Sequence, residues 1–274
     1  MKPSPEHVDA RPRSSSSMDL GKPPVIETSL GCLFSRIEGW NVLHFGALWE
    51  RFRGKYPLAE FPPPILPMLE PPLILQWAPG DVLIPIRSIF TDKSKTQLVQ
   101  LQTDLFMHNW RKTDQTPNYE HYERILPLFK EDWATFSSFL KDEGLKRPAI
   151  SRCEMTYFNH IVRGEQWQSY ADLPRLFRAW RGFEKDAVFG NIELAAFNVV
   201  QVIGRGKVTM VVSPGVRTLD GKEILQMNVT ATRVPDGSED KDLFAGLDDC
   251  HEIALKAFNG FVSEEALQKW GSKK

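Results

Sequence analysis

The sequence predicts an α+β protein built as two similar halves, each an antiparallel β-meander packed on a long C-terminal helix. Three observations carry this. Runs of alternating or β-branched character are separated by turn residues, which reads as antiparallel strands. A stretch near 119–143 places Tyr122, Ile125, Phe129, Trp133, Phe136 and Leu140 at three- and four-residue steps, an amphipathic helix that must bury its stripe on a sheet. The third is internal: Glu27 in "VIETSLGCLF" and Glu154 in "PAISRCEMTYFNHIV" stand 127 positions apart, and Leu98–Gln102 resembles Ile224–Asn228 at an offset of 126. Two similarities at nearly one offset suggest duplication of a unit about half the chain long.

In chain order, residues 1–22 form a polar tail rich in Ser and Pro, expected to be disordered. The first half, 23–146, opens with a strand over 25–35. A helix near 41–55 follows, with Leu43, Ala47, Phe45, Trp49 and Phe52 on a broad apolar face. The proline-rich "PLAEFPPPILPMLEPP" excludes helix and central strand. Extended pieces near 73–78 and 84–91 lead to "LVQLQTDLFMHNWRK" (98–112), read as one strand whose character changes midway. Gly144 is placed to stop the long helix.

The second half, 147–271, begins with a strand over 150–162 and a short helix near 172–181, with Asp172 as cap and Pro174 in its first turn. Strands follow at about 191–203, 206–217 and 223–234, the last two joined by the Asp-Gly turn of "TLDGK". A helix from about 242 to 269 closes the chain. The two halves are expected to form one compact unit. Their order of parts is similar to the saddle-like repeat of the TATA-binding-protein fold and to helix-grip folds.

Composition sets broad limits. The 274 residues are 42% hydrophobic and 25% charged with a net charge of −1, so the whole chain carries no electrostatic footprint for nucleic acid. No apolar run reaches the ~20 residues of a membrane span, and no secretory signal is legible at the N-terminus. Three widely spaced cysteines, Cys32, Cys153 and Cys250, argue against a disulfide framework and for a cytoplasmic location.

The segments "KPPVIE" (22–27), "HFGALWERFRGKYP" (44–57), "LVQLQTDLFMHNWRK", "YEHYE" (119–123), "CEMTYFNHI" (153–161) and "KWG" (269–271) together resemble an uncharacterised, sporadically distributed family of bacterial proteins. The resemblance covers about Lys22 to Gly271. It implies a single architectural unit and a bacterial origin, and brings no activity, cofactor or catalytic set. Sporadic distribution is typical of mobile or defence-associated genes.

Candidate chemistry is sparse. "HNWRK" and "YFNHI" each hold an Asn-His pair, and convergence of His108, Arg111 and His160 with Asn109 and Asn159 would suit acid–base work on a phosphate ester. The alternative is that both histidines anchor strand ends while Trp110 and Tyr157 fill the core, and this is favoured because no nucleophile accompanies them. Asp248, His251 and Glu252 share one face of the last helix, a weak metal candidate without a second ligand cluster. Glu27 and Glu154, at equivalent strand positions, could face one another as a carboxylate pair for acid–base work, but a structural ion pair with Arg36, Arg111 or Arg152, or a solvent-facing position, is favoured. The glycines of "GRG" (204–206), with Gly215 and Gly221, precede strands, so they read as turns, not phosphate loops. No cofactor signature is present.

The sequence therefore favours a non-catalytic binding protein with a protein partner, in a bacterial defence or toxin-neutralising setting. Its anchors would be Trp110, Arg111, Asn109, Tyr157, Asn159, Glu27 and Glu154. A helix-grip pocket for a small molecule or nucleotide-like ligand, and a phosphoester-acting enzyme, are the alternatives. Nucleic acid is a less favoured partner, and no membrane association is expected.

Overall fold

The computed structural model describes residues 20–63, 86–116, 118–180 and 192–271. Residues 1–19 of the expected tail and the extended piece near 73–78 lie outside these residues, whereas the Gly21 and Lys22 amides, counted with the tail, donate to the Gly271 and Trp270 carbonyls. Among the described residues nine strands form one antiparallel sheet: β1 (Val25–Phe34), β2 (Leu58–Glu60), β3 (Ser88–Thr91), β4 (Gln97–Gln102), β5 (Leu105–Arg111), β6 (Ile150–Val162), β7 (Phe197–Ile203), β8 (Gly206–Val216) and β9 (Glu223–Arg233). Their spatial order is β2-β3-β4-β5-β1-β6-β9-β8-β7. The five helices among the described residues are α1 (Val42–Phe52), α2 (Tyr122–Asp142), α3 (Leu173–Leu176), α4 (Asp240–Phe261) and α5 (Glu264–Lys269). The mixed α+β class is as expected.

The two longest helices lie on the sheet, α2 against β5 and β1, and α4 against β6, β9, β8 and β1. Each is driven there by the stripe visible in its sequence. All six residues of the α2 stripe are buried, and Phe106 stacks on Phe136 at 4.9 Å between ring centroids. Gly144 ends α2 at φ +68°, and the Leu145 amide reaches back to the Leu140 carbonyl, closing the helix as a left-handed C-terminal residue does.

The clearest departure is at "LVQLQTDLFMHNWRK". It is two strands, not one. β4 and β5 form a hairpin in which Gln102 pairs with Leu105 across Thr103-Asp104. In that register Leu101 faces Phe106 and Val99 faces His108, so residues of opposite parity share a face. The change of character along the stretch is therefore the chain reversing direction. Neither turn residue has positive φ, so the turn needs no Asn-Gly and leaves no such mark in the sequence. The hairpin also corrects the repeat alignment. Ile224–Asn228 lies in β9, beside β6, whereas Leu98–Gln102 lies in β4, one strand removed from β1.

Smaller differences have local causes. Leu43 is exposed, and α1 buries Phe45, Leu48 and Phe52 instead. Asp172 does not cap α3; its carboxylate accepts from the Gln168 and Ser169 amides and closes a 3-10 turn at Tyr170–Asp172. The last helix breaks after Phe261, where the Ser263 hydroxyl accepts from the Ala266 amide and starts α5, so the second half does not end on its long helix. The three cysteines, distant in sequence, gather in the core. Cys32 lies opposite Cys153 on adjacent strands, and the Cys250 thiol sits 3.6 Å from the Cys153 carbonyl oxygen. Burial pushes the Cys153 thiol up to about 12.

Candidate functional site: an aromatic pocket between the long helices

The candidate His108–Arg111–His160 cluster does not assemble, in line with the favoured reading of the two histidines as structural. His108 lies opposite Leu30 and shares the helix-covered face with Met155 and Tyr157, which also face β1. His160 and Arg111 alternate to the other face. The His108 imidazole is fully buried, with Nδ1 2.7 Å from Asp132 Oδ2 and Nε2 2.9 Å from Gln97 Oε1. Tyr56 donates to the same Asp132 oxygen at 2.7 Å and Lys55 to the other at 2.9 Å, so this is a satisfied core network.

On the sheet face opposite α2 and α4, Glu27 accepts from Arg111 Nε at 2.9 Å and from Asn109 Nδ2 at 2.6 Å. Asn109 in turn accepts from Gln100 at 2.7 Å, and Gln100 from Arg87. Glu27 and Glu154 do not face each other: Glu27 lies opposite Phe158 and Glu154 opposite Gly31, four positions along the same strand pair. Burial raises the Glu154 carboxyl above the usual range, and the charge of Arg152 opposes this. Trp110 is fully buried against Tyr119, whose ring centroid is 5.3 Å away, and is no surface anchor.

The residues that do converge are Tyr157, Asn159 and His251. They line a cavity of about 340 Å³ where the start of β1, the end of β6, the N-terminus of α2 and the middle of α4 meet. β6 directs Tyr157 and Asn159 inward by its two-residue alternation, while α4 presents Asp248, His251, Leu255 and Phe258 along one face by its three- and four-residue steps. Tyr119, three residues before α2, and Tyr122, its first residue, supply the third wall.

The polar groups form two short chains. Tyr119 donates to the Tyr157 hydroxyl at 3.5 Å, and that hydroxyl is 2.7 Å from His251 Nδ1. Tyr122 stacks flat on His251 at 4.1 Å and donates to Asp248 Oδ1 at 2.9 Å. Burial holds all three tyrosine hydroxyls above their ordinary value. Burial also lowers His251, against the opposing charges of Glu123, Asp248 and Glu252. The three tyrosines and His251 thus present neutral hydrogen-bonding groups near neutral pH.

Asn159 is the exception to this satisfaction. Its Nδ2 donates to the Met227 carbonyl at 2.9 Å and the Tyr157 carbonyl at 3.3 Å, which sets the orientation of the amide. Its Oδ1 is buried without a partner. Such an acceptor costs about 1–3 kcal/mol unless something donates to it.

The metal candidate does not form either. Asp248 is taken by Tyr122, His251 by Tyr157, and Glu252 pairs with Lys256 at 3.2 Å. Among the described residues no group of three or more His, Cys, Asp or Glu is placed to hold a metal ion. Nor is any helix among them long and apolar enough to cross a membrane.

Tyr157, Asn159 and His251 were legible as candidates in the sequence, but as parts of different constellations. Tyr119 and Glu123 were visible only within the "YEHYE" segment, and Tyr122 there and as the first member of the long helix's apolar stripe. In comparisons with known proteins, no family model and no curated sequence matched this chain.

Proposed function

We propose that this chain is a small-ligand-binding protein whose site is the pocket between α2 and α4. The observation that carries the reading is an aromatic-lined cavity within the usual size range of ligand sites that counts Asn159, whose buried Oδ1 has no partner, among its lining residues. Ligand-observed NMR with a set of small neutral fragments tests it. Fragments that bind the native protein should lose binding in Leu255→Trp, which fills the cavity. Failure of every fragment to bind at millimolar concentration, or unchanged binding in the filled variant, refutes the reading.

A second reading, binding of a protein partner, is favoured by the β7 edge. This strand ends the sheet order and leaves Val200, Val202 and Ile203 54%, 73% and 42% exposed. Exposed apolar edges are templates for strand addition. Partner capture that persists unchanged in Val202→Lys would exclude this edge as the docking site. A bacterial defence or toxin-neutralising setting belongs to this reading, and the family resemblance is its only support.

We also propose that the two halves descend from one duplicated unit. In support, β1 and β6 lie side by side at the sheet centre, and each is flanked by the last strand before its long helix, β5 or β9. An experimental structure in which the halves fail to superpose strand for strand would reject this.

A further inference from the structure

We infer that the ligand of the pocket is an organic ammonium, a protonated primary or secondary amine on a short apolar or aromatic stem. The inference rests on the pocket reading above and adds to it the sign of the ligand's charge. Three independent features agree.

The first is the balance of charge. Glu123 lines the cavity, Asp248 stands just behind it in its bond to Tyr122, Glu252 is offset by its pair with Lys256, and no Lys or Arg is among the described lining residues. The positive end of α2 opens here as well, but its first turn carries Glu123, whose carboxylate offsets it. A phosphate or carboxylate ligand would enter without a counter-ion.

The second is the wall. The Tyr119 and Tyr157 rings stand 6.2 Å apart at 73°, and Tyr122 lies flat on His251 beside them. An aromatic face left free by these ring–ring contacts attracts a cation through the negative side of its quadrupole.

The third is the Asn159 oxygen. It requires a donor, and an ammonium N–H is a charge-assisted one. This favours a protonated primary or secondary amine over a quaternary one, which has no N–H to give. At about 30 Å³ per water, a cavity of about 340 Å³ admits a ligand of roughly ten heavy atoms.

The test titrates the full chain with 2-phenylethylammonium, 2-phenylethanol and phenylacetate, three molecules of similar shape, by ligand-observed NMR at one neutral pH and ionic strength. The ammonium should bind at least about tenfold more tightly than the alcohol, with phenylacetate weakest. Glu123→Gln, an exposed change that leaves the fold intact, should weaken the ammonium about threefold and leave the alcohol unchanged. Asn159→Leu should bring the ammonium down to the level of the alcohol.

If the alcohol or phenylacetate binds as tightly as the ammonium, the charge inference falls and the pocket reading stands. If none of the three binds, the charge inference also falls, and the neutral-fragment experiment with Leu255→Trp decides the pocket by itself.

Discussion

His108 and Asp132 meet at 2.7 Å in a part of the core where the side chains of both are almost sealed from solvent. Asp132 is the hub: it accepts from His108, Tyr56 and Lys55, three side chains brought by β5, the segment after α1, and α1's outgoing turn. On its far side the imidazole faces Gln97 Oε1, whose own amide nitrogen donates to Glu120 at 2.9 Å. The network ties β4 and β5 to α2 by polar bonds inside an otherwise aromatic core.

Asp132→Ala strands all three donors at once. The expected cost is about 3–5 kcal/mol, the range for breaking a buried ion pair by removing one partner. Urea denaturation of the two proteins measures it. A loss below about 1 kcal/mol would mean that desolvation of the native network already cancels its attraction.

Two glycine substitutions should differ sharply. A Cβ on Gly31 would sit 2.1 Å from the Phe106 carbonyl oxygen and 2.7 Å from the Met107 Cα, backbone that cannot step aside within a paired strand. Gly31→Ala should therefore cost about 3 kcal/mol or prevent folding, the upper end of overpacking. At Gly144, with φ +68° and nothing within 4 Å, Ala meets only backbone strain of about 1 kcal/mol. Comparing thermal unfolding of the two variants checks the order, and equal effects would contradict it.

The pH dependence of stability has a sign set by His251 and His160. Burial lowers both below the ordinary histidine value; at His251 the acidic neighbours Glu123, Asp248 and Glu252 oppose it, and at His160 Arg217 adds to it. Between the unfolded value near 6.5 and the lower folded value, the unfolded chain binds more protons, so stability falls as pH drops through that window. His251→Phe keeps a flat ring against Tyr122 and removes one titrating group. Denaturation midpoints at pH 7.5 and 5.5 should lie closer together in the variant, with the remaining difference owed partly to His160. An unchanged difference would remove His251 from the account.

Tyr157→Phe tests the hydroxyl chain in the pocket. It leaves the ring and takes away the group between Tyr119 and His251 Nδ1. A loss of about 1 kcal/mol in stability is expected, together with an upfield or downfield shift of the His251 ring resonances by NMR. No change in those resonances would show that the hydroxyl and the imidazole are not bonded in solution.

Much of this protein was determined by local pattern alone. The α2 stripe, the stop at Gly144, the strand of β6 and the meander of β8 and β9 all follow from periodicity and turn chemistry, which act between residues a few positions apart. The hairpin at Thr103-Asp104 escaped because its turn uses ordinary backbone angles and so demands no special residue. What the sequence could not hold was the sheet order. The pairing of β1 with both β5 and β6 puts His108 and His160, each next to an asparagine in sequence, on opposite faces. The same pairing, with α2 and α4 laid over it, brings Tyr119, Tyr157, Asn159 and His251 into one cavity. Alternation along a strand tells which residues share a face, but which strands are neighbours is decided by burial of whole helix and sheet surfaces across the molecule, and the site exists only at that level.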